Sequence, residues 1–403
     1  MEGAMTRQIT EQELTEFRCV PRASRWRPNC WKKPRSFTRS PTAFSTAARE
    51  SRDQGSGIRG QGSGERMPTK IGWRAILALL VLGAAVPLGR PQTRPRMKLY
   101  VTNSLGDDIT VIDLATLKVV GDIKVGERVH GVAAQADGRR LFTTIESERN
   151  LKVIDTAADQ VIRTIPLTGM PNQCAVTPDG RFVGAPIRDG NVVDIIDMTR
   201  NRVVKTLPVK VPHNCLNAGS NEHMFVTSMG GDKVHLIDLK TLSYVEEIPV
   251  TGIPRPIAVS QDEKTMYVAL SDFHGFVIVD VPGRRVIETV ELPPAPHNTN
   301  PLEPHTETHG LALSPDGKEL WVTSLGDNGI YVFDVAAKRL LTEVYTGAGP
   351  NWVAFSPDGQ YCCVSNTGSD DCSIIDTRAR REVARIKVGK APKRLVAVAV
   401  PAA

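Results

Sequence analysis

The chain has eight histidines, and three of them, His130, His213 and His309, fall at one position of an internal repeat. Neutral imidazole is a ligand for Zn, Cu or Fe. Three imidazoles with an open fourth position make a site where a metal can do chemistry. The other copies of the repeat carry Asn172, Arg255, Asn351 and Lys393 at this position, so no copy is apolar there. Two residues later the series reads Val132, Cys174, Cys215, Ile257, Leu311, Val353 and Leu395, a core pattern. The contrast predicts a ring of polar side chains facing solvent or a ligand. In that ring Arg255 and Lys393 are candidates for holding a small anionic ligand. A stretch unique to one copy, LPPAPHNTNPLEPHTETHG at 292–310, brings His297 and His305 next to His309, with Glu307 as a further ligand or partner. Against the metal, Arg255 and Lys393 repel a cation if they point at the same axis, and a polar ring lining a water-filled channel needs no ligand at all.

What positions these residues is the repeat itself. An apolar residue followed by Asp recurs at Asp113, Asp155, Asp197, Asp238, Asp280, Asp334 and Asp376, in steps of 42, 42, 41, 42, 54 and 42 residues. Each unit reads as four short strands. In 309–347 these are HGLALSP, ELWVTSL, IYVFDV and LLTEVYTG, separated by turns at Asp316-Gly317, Gly326–Gly329 and Ala336–Lys338. Period-two alternation and β-branched content exclude a helical repeat. Seven four-stranded units of this length predict an all-β, seven-bladed β-propeller with antiparallel blades. The repeat begins at KLYVTN, a second strand, and ends at KRLVAVAV, a first strand. The C-terminal strand is therefore expected to complete the first blade and close the ring. The recurrent Asp is expected to bond turn amides. Connections from fourth to first strands and from second to third strands share one face, called here the upper face. Six of the eight histidines map to it: the three ring residues, His297, His305 and His274. His223 and His235 do not.

Tyr100-Val101-Thr102-Asn103 is the tetrapeptide of the YVTN-repeat propellers, and 98–400 resembles that family throughout. Val322-Thr323-Ser324, Val364-Ser365-Asn366 and the turns SPDG at 314–317 and 356–359 and TPDG at 177–180 are similar to it too. The resemblance implies the propeller fold. It leaves function open, because such propellers include surface-layer proteins, nucleic-acid binders and relatives of quinoprotein and haem-d1 enzymes.

Composition narrows the choice. The net charge of +6 resides in residues 1–66; residues 67–403 hold 37 basic and 37 acidic side chains. A neutral body offers no clustered basic surface, so nucleic acid is not an expected partner. Residues 67–91 read as a secretory signal peptide: Lys70 and Arg74, a 12-residue apolar run from Ala75 to Val86, and small residues at its end. The run is too short to span a bilayer comfortably, although a short anchor is the other reading. Residues 1–66 are expected to be either an upstream mis-start or a disordered basic arm, and 92–403 the propeller. No membrane span is expected in the mature chain, and it is expected to be a monomer. Haem-attachment, P-loop and nucleophile-elbow motifs are missing from the sequence. Asp107-Asp108 and Asp370-Asp371 read as solvated turn residues. Cys363 with Cys372, and Cys174 with Cys215, are placed to pair or to stay as buried thiols. The expected function is that of a secreted, periplasmic or cell-surface propeller. It would bind a small anionic ligand or an extracytoplasmic protein or glycan at Asn172, Arg255, Asn351, Lys393, His297 and His305. The alternative is an oxidoreductase or lyase that uses a transition metal on His130, His213 and His309.

Overall fold

The computed structural model describes residues 95–303 and 306–401. The proposed arm, the signal segment and His305 lie outside the described residues. Seven antiparallel sheets of four strands follow one another along the chain. Blade 1 takes its innermost strand from the far end of the chain: Pro392–Val400 pairs with Arg96–Asn103, with Leu99 opposite Ala397 and Tyr100 opposite Val396. The predicted closure is observed. No helix in the described residues is long and apolar enough to cross a membrane.

The core lies between blades, in apolar clusters that each draw on two neighbours. One joins Tyr100, Ile109 and Val111 of blade 1 to Leu141, Ile145 and Ile154 of blade 2. The residues two past the ring position are buried there as expected. The recurrent Asp works as predicted. Asp113 Oδ1 accepts from the amides of Ala115 and Thr116, and Asp238 Oδ1 from Lys240 and Thr241. Four residues after each such Asp the chain turns through positive φ, from Leu117 to Arg380.

The innermost strands are irregular where the ring residues sit. In six blades the register slips at this point, for example between Val129 and Val132 and between Thr308 and Leu311. Such a bulge frees one amide from the ladder and turns a side chain toward the axis. The Thr of the YVTN motif takes the freed amide. Gly131 N donates to Thr144 Oγ1, Asn214 N to Thr227, Gly310 N to Thr323, Trp352 N to Ser365 and Arg394 N to Thr102, over 2.8–3.1 Å. Blade 5 has Ala269 in place of the hydroxyl, and the residue it would serve is Pro256, which has no N–H. Blade 3 has Pro186 there, and its innermost strand is reduced to Ala175–Val176.

One sequence expectation needs correcting. Asp371 is no solvated turn residue: it is buried, accepting from Asn366 Nδ2 at 2.9 Å with Lys387 beside it. Of the two readings open for the cysteines, the buried thiol is the one observed: the five described cysteines are all free and buried.

Candidate functional site

The seven ring positions converge on the channel mouth. His130, Asn172, His213, Arg255, His309 and Asn351 are all under 8% exposed, and only Lys393 is half-buried. The ring is therefore a buried polar layer rather than a solvated one. Buried polar groups must find partners or carry a large desolvation cost. Here the partners are two carboxylates and a guanidinium that do not belong to the ring.

The first carboxylate is Glu146, from the second-to-third-strand turn of blade 2. Its Oε1 lies 2.7 Å from His130 Nδ1 and 3.1 Å from Arg188 Nη2, and its Oε2 lies 2.9 Å from Arg128 Nη2. The second is Glu303, from the inserted connection. Its Oε2 receives Arg255 Nη1 at 2.8 Å. Its Oε1 receives Asn351 Nδ2 at 3.2 Å and faces Lys393 Nζ at 3.3 Å. Burial opposes ionisation of both, but Arg188 and Arg128 around Glu146, and Lys393 and Arg255 around Glu303, hold both carboxyls well below the usual range.

Arg394 follows the ring residue of the closing strand and crosses to blade 7. Its side chain is fully buried and lies over the Trp352 ring, 4.0 Å from the centroid. Its Nη1 donates to Asn351 Oδ1 at 3.0 Å, and its Nε has no hydrogen-bond partner. No carboxylate of the described residues comes within ion-pair distance of it. Burial lowers this guanidinium to about 9. Among the described residues, Arg128, Arg188, Arg255, Lys393 and Arg394 share the mouth with Glu146 and Glu303.

The histidines are bases here, not cations. Burial pushes His130 and His309 down to about 3 despite the pull of Glu146 and Glu303. Burial, with Arg255 and Arg394 adding to it, holds His213 well below its usual value. His309 Nδ1 donates to the carbonyl of Asn351 at 2.8 Å, which leaves Nε2 as a bare acceptor. His130 Nε2, His309 Nε2 and both amide atoms of Asn172 are buried without a hydrogen-bond partner. His213 and His309 stand edge to face at 6.2 Å, while His130 is turned to Glu146. Among the described residues no three His, Cys, Asp or Glu side chains gather where a metal could sit. His297 is outside the ring, 72% exposed and paired with Glu307, and His274 bonds Ser324 Oγ at 3.0 Å.

Sequence reasoning missed Glu146, Arg188, Glu303 and Arg394. A signal for the first two existed. Nine residues before the recurrent Asp, the seven units read Ser104, Glu146, Arg188, Met229, Ser271, Leu325 and Thr367, with opposite charges on adjacent blades.

Comparisons with known proteins agree on architecture. No curated protein sequence matches the chain. Hydrazine synthase of Kuenenia stuttgartiensis superposes with a TM-score of 0.61 at 20% identity, over 74% of this chain and 99% of that one. A Bacteroides fragilis protein provisionally described as a 6-phosphogluconolactonase gives 0.62 at 17% identity, over 75% and 98%. The dihydro-heme d1 dehydrogenase NirN gives 0.56 at 14% identity, over 72% of this chain and 63% of that one. At these identities the likeness is one of fold. A family model for YNCE-like β-propellers matches residues 140–306. With seven four-stranded blades closed by the C-terminal strand, the chain is a seven-bladed β-propeller, similar over residues 140–306 to the YNCE-like β-propellers.

Proposed function

We propose that this protein is an extracytoplasmic propeller that binds a small anionic ligand at the upper mouth of its channel, with Arg394 as the central anchor. One observation carries the reading. Arg394 is a fully buried guanidinium with one side-chain hydrogen bond and, among the described residues, no carboxylate within ion-pair distance. Burying a guanidinium without an ion-pair partner costs several kcal/mol; Glu303 and Glu146 offset part of that from beyond ion-pair distance, and an incoming anion would offset more. The neutral histidines serve as acceptors for ligand hydroxyls. The extracytoplasmic setting rests on Lys70, Arg74 and the apolar run that follows them.

The test is a titration of untagged protein with small carboxylates and phosphate esters at fixed ionic strength, read by calorimetry. At least one class should bind, and Arg394→Met should weaken it about tenfold or more, the worth of a charge-assisted bond. Equal binding by the variant, or no binding by wild type, overturns the reading. Stoichiometric Zn, Cu or Fe in elemental analysis would overturn it too, in favour of the metal site.

A further inference from the structure

The proposed anion site already contains a carboxylate, and it belongs to the protein. Glu303 comes from the one connection that stretches the repeat from about 42 to 54 residues. Its two oxygens take Arg255 Nη1, Asn351 Nδ2 and Lys393 Nζ within 2.8–3.3 Å. A charged fork, a point charge and an amide arranged around two oxygens form a recognition site for a free carboxylate. The fit is incomplete on one side. His309 Nε2 is buried without a hydrogen-bond partner and lies 3.9 Å from Glu303 Oε2. Its other nitrogen already donates to the Asn351 carbonyl, so two acceptors face each other with no hydrogen between them. A hydroxyl on the carbon next to a carboxylate would put an O–H donor there. Asn172 and His130 Nε2 repeat the pattern, with buried polar atoms that lack hydrogen-bond partners on the same ring.

We propose that Glu303 is a built-in surrogate for the ligand, and that the ligand is a small hydroxycarboxylate whose carboxylate takes the Glu303 seat and whose hydroxyl donates to His309 Nε2. This rests on the anion-binding reading and names the class of anion.

The experiment is chemical rescue. Glu303→Ala should melt below wild type, and millimolar glycolate should restore it. Acetate should act in the same direction but about tenfold more weakly, by the worth of one hydrogen bond, and sodium chloride of equal ionic strength should do nothing. Equal rescue by acetate and glycolate overturns the hydroxyl contact. No rescue beyond chloride overturns the surrogate. Should the alanine variant fail to fold, Glu303→Gln keeps the seat filled but uncharged. Glycolate should then bind it about tenfold tighter than wild type, since a neutral amide competes less than a carboxylate; unchanged affinity overturns the proposal. If glycolate fails while wild type still binds another anion through Arg394, the surrogate falls and the anion site stands. If both fail, both fall.

Discussion

His130, His213 and His309 enter the fold as neutral bases, and this ties stability to pH. An unfolded histidine titrates near 6.5. In the fold His130 and His309 titrate at about 3, and burial lowers His213 as well. Above about pH 6.5 neither state is protonated and the full stability is present. As pH falls through that value the unfolded chain gains protons that the folded ring refuses, so stability drops. Each histidine contributes a slope on the order of 1.4 kcal/mol per pH unit, well before the carboxylates titrate. Urea denaturation between about pH 6.5 and 5 should therefore show falling stability, and His213→Gln should make the slope shallower by at most about 1.4 kcal/mol per pH unit. An unchanged slope in the variant would mean that His213 titrates in the fold as it does in the open chain. The ring position of these residues was legible in the sequence because a fixed offset from a repeating turn locates it. Their burial was not, because the residue types of Glu303, Trp352 and Arg394 at the mouth recur in no other copy of the repeat.

The strand bulge is the element that aims the ring residues, and in five of the six bulged blades its cost is met by one hydroxyl. Thr323 Oγ1 accepts the Gly310 amide and donates back to the Gly310 carbonyl. In blades 1, 2 and 7 the same hydroxyl reaches the ring carbonyl of an adjacent strand: Thr102 to His130, Thr144 to Asn172 and Ser365 to Lys393. The Thr of the YVTN tetrapeptide, Thr102, is thus a part of the site's support as well as of the fold. Thr323→Val, which keeps the shape, should cost about 1–3 kcal/mol by leaving a buried N–H without its acceptor. Ala269→Thr in blade 5 should not stabilise, because Pro256 offers no N–H to receive. Denaturant melts of the two variants separate this account from simple β-propensity, which would favour threonine in both blades. The four-strand plan and its turns were readable because alternation and Asp-Gly punctuation recur seven times. The bulge was not, since a one-residue slip leaves no mark on composition.

At the scale of the whole molecule, closure and the candidate site are one structure. The closing strand Pro392–Val400 supplies the innermost strand of blade 1, and it also supplies the cations Lys393 and Arg394 to the mouth. Arg394 then reaches back to blade 7 through Asn351 and Trp352, so the seam between first and last blades runs through the proposed anchor. Without this strand, Arg96–Asn103 would be an exposed edge with Leu99 and Tyr100 uncovered, a template for association. Truncation before Pro392 should therefore abolish the cooperative melt and drive aggregation, seen by calorimetry and size-exclusion chromatography. A subtler variant tests the coupling itself. Any ligand that binds only the closed ring stabilises it by mass action, so amide exchange on Leu99–Val101 should slow when the ligand is present. Arg394→Met should keep the closed ring yet lose that slowing, because the strand still pairs but its anchor is gone. Slowing that survives in Arg394→Met would place the ligand somewhere other than the seam.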